Sequence, residues 1–324
     1  MMIRTASKEC VESVGRPLYL LINQSRSHPL GTFSQVRSAA MAVVAHLAYC
    51  AIGNEDRANV ERATIVPSLV YQRLVQLEGG FDIVAAFTGL DFADPIIVRT
   101  RRFVAVGLLA GSELWIGVRG TVGAYDWALN ARIWPRRSRE ANLPMFFHSG
   151  FLSETALLAT KLKAAIAGHR RSASLRRIYL SGHSLGGAIA AILQLRGDLV
   201  PDMLQSMWRD PGDCYIFGAP RAVWRDGTVF LSQSFAIRRS ADFVPRVPPS
   251  MIGYENFRQQ RYPDGEPFYD QTPFDWWPFL KWISVLTFGK FIEGHSMERY
   301  RAEVLGSAAC HPDLQPYWSR NFNN

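Results

Sequence analysis

The chain has 324 residues, 48% of them apolar and 20% charged, with a formal net charge of +8. That length buries a sizeable core, as one large domain or two small ones, and the composition excludes a repetitive or low-complexity polymer. Lys and Arg fall in ones and twos, so the charge reads first as a solubility device and second as an attraction to anionic surfaces such as lipid headgroups; no nucleic-acid partner is expected.

The cysteines Cys10, Cys50, Cys214 and Cys310 lie far apart, without CxxC or Cys/His ligand spacing, which argues against a metal site. Cys50 and Cys214 sit inside apolar runs and read as buried thiols of a reducing compartment. The N-terminus lacks the apolar core of a secretory signal, and the apolar stretches carry charges or prolines, so none reads as a membrane span. The expectation is a cytoplasmic protein, or one exported without a recognisable signal peptide.

Residues 1–36 carry Pro17, Pro29 and Gly31 and receive no firm structure, as an N-terminal extension. From Arg37, RSAAMAVVAHLAYCAIG predicts a mostly apolar helix closed by Gly53. RRFVAVGLLAGSELWIGVRG predicts two strands around the turn Ala110-Gly111-Ser112. FLSETALLATKLKAAIAG places Leu158, Leu162 and Ala165 at helical spacing. Then come RRIYLSG as a strand, HSLGGAIAAILQLRG as a helix, and DCYIFGAP and QSFAIRRSAD as further strands. This alternation predicts an α/β fold, a mainly parallel central sheet with helices on both faces, in one catalytic domain over 37–308 followed by a tail, 309–324.

Strand, Gly182-His183-Ser184-Leu185-Gly186, helix is the pattern of a nucleophile elbow. A bare GxSxG arises by chance in about one chain of this length in ten. The apolar IYL before it and the small-residue helix after it supply the context that a chance match lacks. Gly182 and Gly186 remove side chains that would collide in the strained turn, and the helix N-terminus aims free N–H groups at the reaction centre.

A serine becomes a useful nucleophile when a base takes its proton and a carboxylate orients that base. In this arrangement the acid and then the histidine follow the serine. Only His295 and His311 lie beyond Ser184; His311 sits in a polar tail, whereas His295 follows a glycine and precedes a predicted helix. Asp242 ends the predicted strand QSFAIRRSAD, where carboxylates project into a ligand crevice. A salt bridge from Asp242 to Arg239 or Arg246 is the competing structural reading, while Asp226 and Asp264 read as turn residues. The backbone N–H of Leu185 and the N–H and hydroxyl of Thr121, after the strand ELWIGVRG, are the candidate oxyanion donors.

Taken in order, Arg119-Gly120-Thr121, HSGF (148–151), GHSLGG (182–187), FGAPR (217–221), ADFVPRVPP (241–249) and Gly294-His295 resemble the class 3 lipase family of α/β-hydrolases, over roughly residues 37–300. The resemblance implies a serine ester hydrolase acting on acylglycerols or related lipid esters, without metal or cofactor. Its triad falls on Ser184, Asp242 and His295, and its oxyanion pair on Thr121 and Leu185. A phospholipase A1 or a short-chain carboxylesterase would use the same triad, and a non-catalytic membrane-surface binding protein is the reading from another class. The family's lid helix falls on about Val122–Arg137, where Trp127 and Trp134 either meet lipid or pack in a fixed surface helix. The aromatic stretch before His295, with Trp276 and Trp277, serves either as an interfacial anchor or as core and pocket wall. A transient membrane or lipid-droplet surface is thus a candidate partner; the oligomeric state stays open.

Overall fold

Seven strands hydrogen-bond into one sheet in a computed structural model that describes residues 16–50, 92–100, 102–120, 134–137, 145–196, 212–225, 234–269 and 293–308. Two helices come first, α1 (Arg16–Ser25) and α2 (Gln35–Cys50). The antiparallel strands β1 (Phe92–Arg99), β2 (Val104–Ala110) and β3 (Glu113–Arg119) follow. The short strands β4 (Pro135–Arg137) and β5 (Phe146–His148) lead into α3 (Ser149–Ala167). Then come β6 (Arg177–His183), α4 (Leu185–Arg196), β7 (Cys214–Phe217), β8 (Val223–Trp224), β9 (Ser234–Ile237), β10 (Gln259–Arg261) and α5 (Met297–Ala308).

The main sheet runs β1-β2-β3-β6-β7-β9-β10, and every pair from β3 onward is parallel. Both faces of such a sheet are covered, so its strands are apolar throughout: all seven residues of β2 and of β3 are buried. Alternation along β3 divides two cores. Leu114, Ile116 and Val118 pack with α3 and α4, whereas Trp115 joins Tyr179, Tyr215 and Phe217 beneath α1, α2 and α5. This is the α/β-hydrolase arrangement.

The helix predicted from Arg37 starts two residues earlier, and Gly53 lies outside the described residues. The stretch 1–36, which the sequence leaves without firm structure, contains α1, whose Leu18, Leu21 and Ile22 are fully buried. Pro17 sits in its first turn, where a missing N–H costs nothing. Arg37 fastens this segment from inside: it pairs with Asp213 and donates to the carbonyls of Ser25 (2.9 Å) and His28 (2.6 Å), while Gly31 N–H donates to Asp213 at 2.9 Å.

A second sheet, β4-β5-β8, is antiparallel and only two to three residues long per strand. Residues 135–137 therefore form an extended edge rather than the end of the expected lid helix; Pro135 donates no backbone hydrogen bond and disfavours helix at the residue before it. No helix among the described residues is long and apolar enough to cross a membrane.

Candidate active site

Ser184 stands between the last residue of β6 and the first of α4 with φ of 57°, a left-handed conformation that a side chain strains to adopt. Its neighbours explain how the turn closes. A Cβ on Gly186 would lie 2.3 Å from the carbonyl oxygen of Val118, and one on Gly182 would lie 2.3 Å from that of Gly186. The serine N–H donates to Phe217 at 2.9 Å, fixing the elbow against the end of β7.

Asp242 arrives differently from the expectation. Strand β9 stops at Ile237, and the carboxylate sits five residues later in a tight turn, because backbone bonds from Asp242 to Arg239 and from Arg246 to Phe243 curl the chain there. The side chain is buried. Its Oδ2 accepts from Nδ1–H of His295 at 2.8 Å and from the Tyr300 hydroxyl at 2.6 Å, and its Oδ1 accepts from the N–H of Val244 at 2.9 Å. Arg239, the competing salt-bridge partner expected from the sequence, pairs with Glu303 at 2.6 Å instead. Asp264 accepts from the N–H of Glu266 as a turn residue, and Asp226 lies outside the described residues.

Gly218 brings the pair to the serine. With φ of +56°, it leaves a gap where a Cβ would come within 2.6 Å of Asp242 Oδ2 and 3.0 Å of His295 Nδ1. Since Phe217 holds the serine N–H and the next residue faces the imidazole, all three side chains gather at the ends of β6 and β7. The carboxylate fixes the proton of His295 on Nδ1, which makes Nε2 the basic nitrogen. That Nε2 is buried and makes no hydrogen bond, so Ser184 Oγ is not yet bonded to it.

Two tyrosines escaped the sequence reading. Tyr300 lies one and a half turns beyond His295 on α5; besides donating to Asp242, its hydroxyl accepts from the N–H of Arg239 at 3.2 Å. Burial, and then the Asp242 charge, push its pKa up, so it remains a donor. Tyr49 on α2 bonds His183 Nδ1 at 2.6 Å, and the His183 ring lies 4.5 Å from that of His295. Burial, followed by repulsion from His295, lowers the His183 pKa well below normal. A neutral imidazole thus backs that of His295. Neither tyrosine belongs to a motif, and no spacing in the sequence marks either.

The Leu185 N–H begins α4, and Gly120 faces it: a Cβ on Gly120 would lie 3.2 Å from the Leu185 nitrogen. Gly120, just past the end of β3, thereby lies against the elbow. Thr121, Trp127, Trp276 and Trp277 lie outside the described residues, while Trp134 is exposed at the start of the small sheet.

A strained serine on a strand-to-helix turn, above a mostly parallel sheet and beside an Asp–His pair, defines an α/β-hydrolase type of site. Residues 115–251 match the family model described as lipase (class 3). A secreted mono- and diacylglycerol lipase 1 of Fusarium solani is 27% identical over 164 residues, 49% of this chain and 46% of that protein. The match thus spans about half the length of this relative. Among solved structures, the lipase of Rhizopus microsporus var. chinensis is similar at 18% identity, covering 72% of this chain and 76% of that one with a TM-score of 0.48. The mono- and diacylglycerol lipase of Aspergillus oryzae is similar at 16% identity, covering 74% and 82%, also with a TM-score of 0.48.

Proposed function

We propose that the protein is a serine ester hydrolase that cleaves acylglycerols or related lipid esters through an acyl-enzyme. Ser184 Oγ attacks the ester carbonyl while His295 Nε2 takes its proton, and Asp242 stabilises the imidazolium. The N–H of Leu185, joined by Thr121, receives the developing oxyanion; one such donor lowers the barrier by about 3 kcal/mol. The tetrahedral intermediate collapses, and His295 protonates the departing alcohol. Water, deprotonated by the same nitrogen, then releases the fatty acid and restores Ser184.

The observation that carries this reading is the Asp242–His295 bond of 2.8 Å held against Gly218, directly beside the residue that anchors the Ser184 N–H. The class 3 family match and a relative named as a mono- and diacylglycerol lipase favour lipid esters as substrates. As to location, the buried, unpaired Cys214 thiol suits a reducing compartment, although that relative is named as secreted. The test is acid release from emulsified mono-, di- and triacylglycerols of graded chain length, from soluble short esters and from phospholipid vesicles. Acylglycerol hydrolysis that vanishes in Ser184→Ala supports the reading. Hydrolysis restricted to phospholipid or to soluble esters moves the substrate class, and full activity in Ser184→Ala removes the reading altogether.

A further inference from the structure

The small sheet presents one face that the proposed hydrolysis does not use. Arg137, Phe146 and Trp224 stand in register across β4, β5 and β8, and the Phe146 and Trp224 rings meet edge to face at 5.8 Å. Trp224 Nε1–H donates to the Ile252 carbonyl at 2.7 Å, which brings the 250–252 turn alongside. In that turn Met251 and Ile252 are 54% and 42% exposed, and Phe146 is 38% exposed. Large apolar side chains set side by side in water at a turn tip are the feature of a docking surface rather than of scattered exposure.

Its charge indicates what docks. The Arg225 guanidinium lies 4.6 Å from the centre of the Trp224 ring. Arg225 and Arg258 line an open depression of about 420 Å³, with Asn256 and Glu255 in its wall. Arg137, Arg225 and Arg258 make no ion pair among the described residues, so three guanidinium groups face outward around an aromatic and aliphatic centre. Guanidinium groups match phosphate oxygens, Trp favours the headgroup zone, and Met and Ile suit the acyl boundary below it. A protein partner would instead need a carboxylate rim to answer these cations.

We propose that this face docks the protein on an anionic phospholipid bilayer, with the Met251–Ile252 turn inserted and the three arginines on the phosphates. The location fits a site that takes its substrate from lipid. Trp224 follows Gly218 by six residues, so the face lies within about 20 Å of the Asp242–His295 pair. Binding does not depend on the hydrolase reading, because it is measured without turnover.

The test is flotation of the full chain with vesicles of pure phosphatidylcholine and with vesicles containing three-tenths phosphatidylglycerol. The account expects binding to the anionic vesicles, weakened several-fold between 50 and 300 mM salt at roughly those concentrations. The double variant Arg225→Asn, Arg258→Gln should reduce it at least about tenfold; Asn tolerates the φ of +40° at residue 225. Met251→Ser with Ile252→Ser should reduce it as well, while soluble-ester hydrolysis and thermal unfolding stay unchanged in both. Equal binding to both kinds of vesicle, or unaltered binding of the arginine variant, would overturn the proposal. So would a dimer in light scattering that the same substitutions dissociate, since the face would then be a contact between copies.

Discussion

Tyr300 and His295 donate to the same oxygen of Asp242, at 2.6 and 2.8 Å, from the same stretch of chain. The phenol is thus a second donor to the carboxylate that the proposed mechanism uses, and would hold it in place for the imidazole. A hydrogen bond to a charged group is worth about 1.5–3 kcal/mol. Tyr300→Phe should therefore lower kcat about tenfold or more with KM nearly unchanged, since the phenol is fully buried behind Asp242. An unchanged kcat, or a loss confined to KM, would show that the bond only stabilises the fold.

Gly218 lies against that pair. In Gly218→Ala the new methyl would meet Asp242 Oδ2 at 2.6 Å on a backbone with φ of +56°. Esterase activity should fall at least about a hundredfold and unfolding stability by roughly 1–3 kcal/mol, from left-handed strain and a displaced carboxylate. Kinetics beside thermal denaturation checks this; wild-type activity in the alanine variant would mean that the pair does not sit where the structure has it.

Stability should fall as the solution is acidified below neutrality. Burial lowers the pKa of His148 to about 4 and that of His46 to about 3, the latter aided by Arg301. Unfolded, both titrate near 6.5. Between pH 6.5 and 4 the unfolded chain binds protons that the folded one refuses, so folding weakens as pH drops through that window, by up to about 1.4 kcal/mol per unit for each histidine. Denaturant unfolding at pH 7, 6 and 5 should show the decline, and His148→Gln should flatten it. A stability independent of pH over that range would contradict the lowered pKa values of both rings.

Arg37 and Asp213 test the N-terminal segment. Removing one partner of a buried ion pair strands the other's charge, at a cost of about 3–5 kcal/mol. Arg37→Met should lose that much in denaturant unfolding, whereas the double change with Asp213→Asn should recover part of it. No recovery would indicate that the bonds of Arg37 to Ser25 and His28 carry the stabilisation instead.

The elbow was legible because two glycines and a serine must stand at fixed spacing where a backbone turn is this tight. Long elements such as β2, β3 and α3 were legible for a related reason, since their apolar runs exceed what chance supplies. The sequence predicts a strand ending at Asp242, yet β9 stops five residues earlier; the residue meets His295 through a turn built by backbone bonds that no side-chain pattern announces. Strands of two or three residues, β4, β5 and β8, have too few positions to display a period. Helix α1 was hidden by Pro17, read as a breaker although it occupies the first turn. Tyr49 meets His183 across 134 positions, a proximity that only the packing of α2 on β3 and β6 creates.

Everything proposed for this site requires that Ser184 be the reactive hydroxyl and that His295 make it so. Exposure of the full chain to a fluorophosphonate, followed by mass analysis of its peptides, reads this directly. The account predicts one adduct, on Ser184, formed rapidly in the wild type, absent in Ser184→Ala and slowed by orders of magnitude in His295→Ala. An adduct elsewhere, or labelling of Ser184 at the same rate without the imidazole, would contradict it.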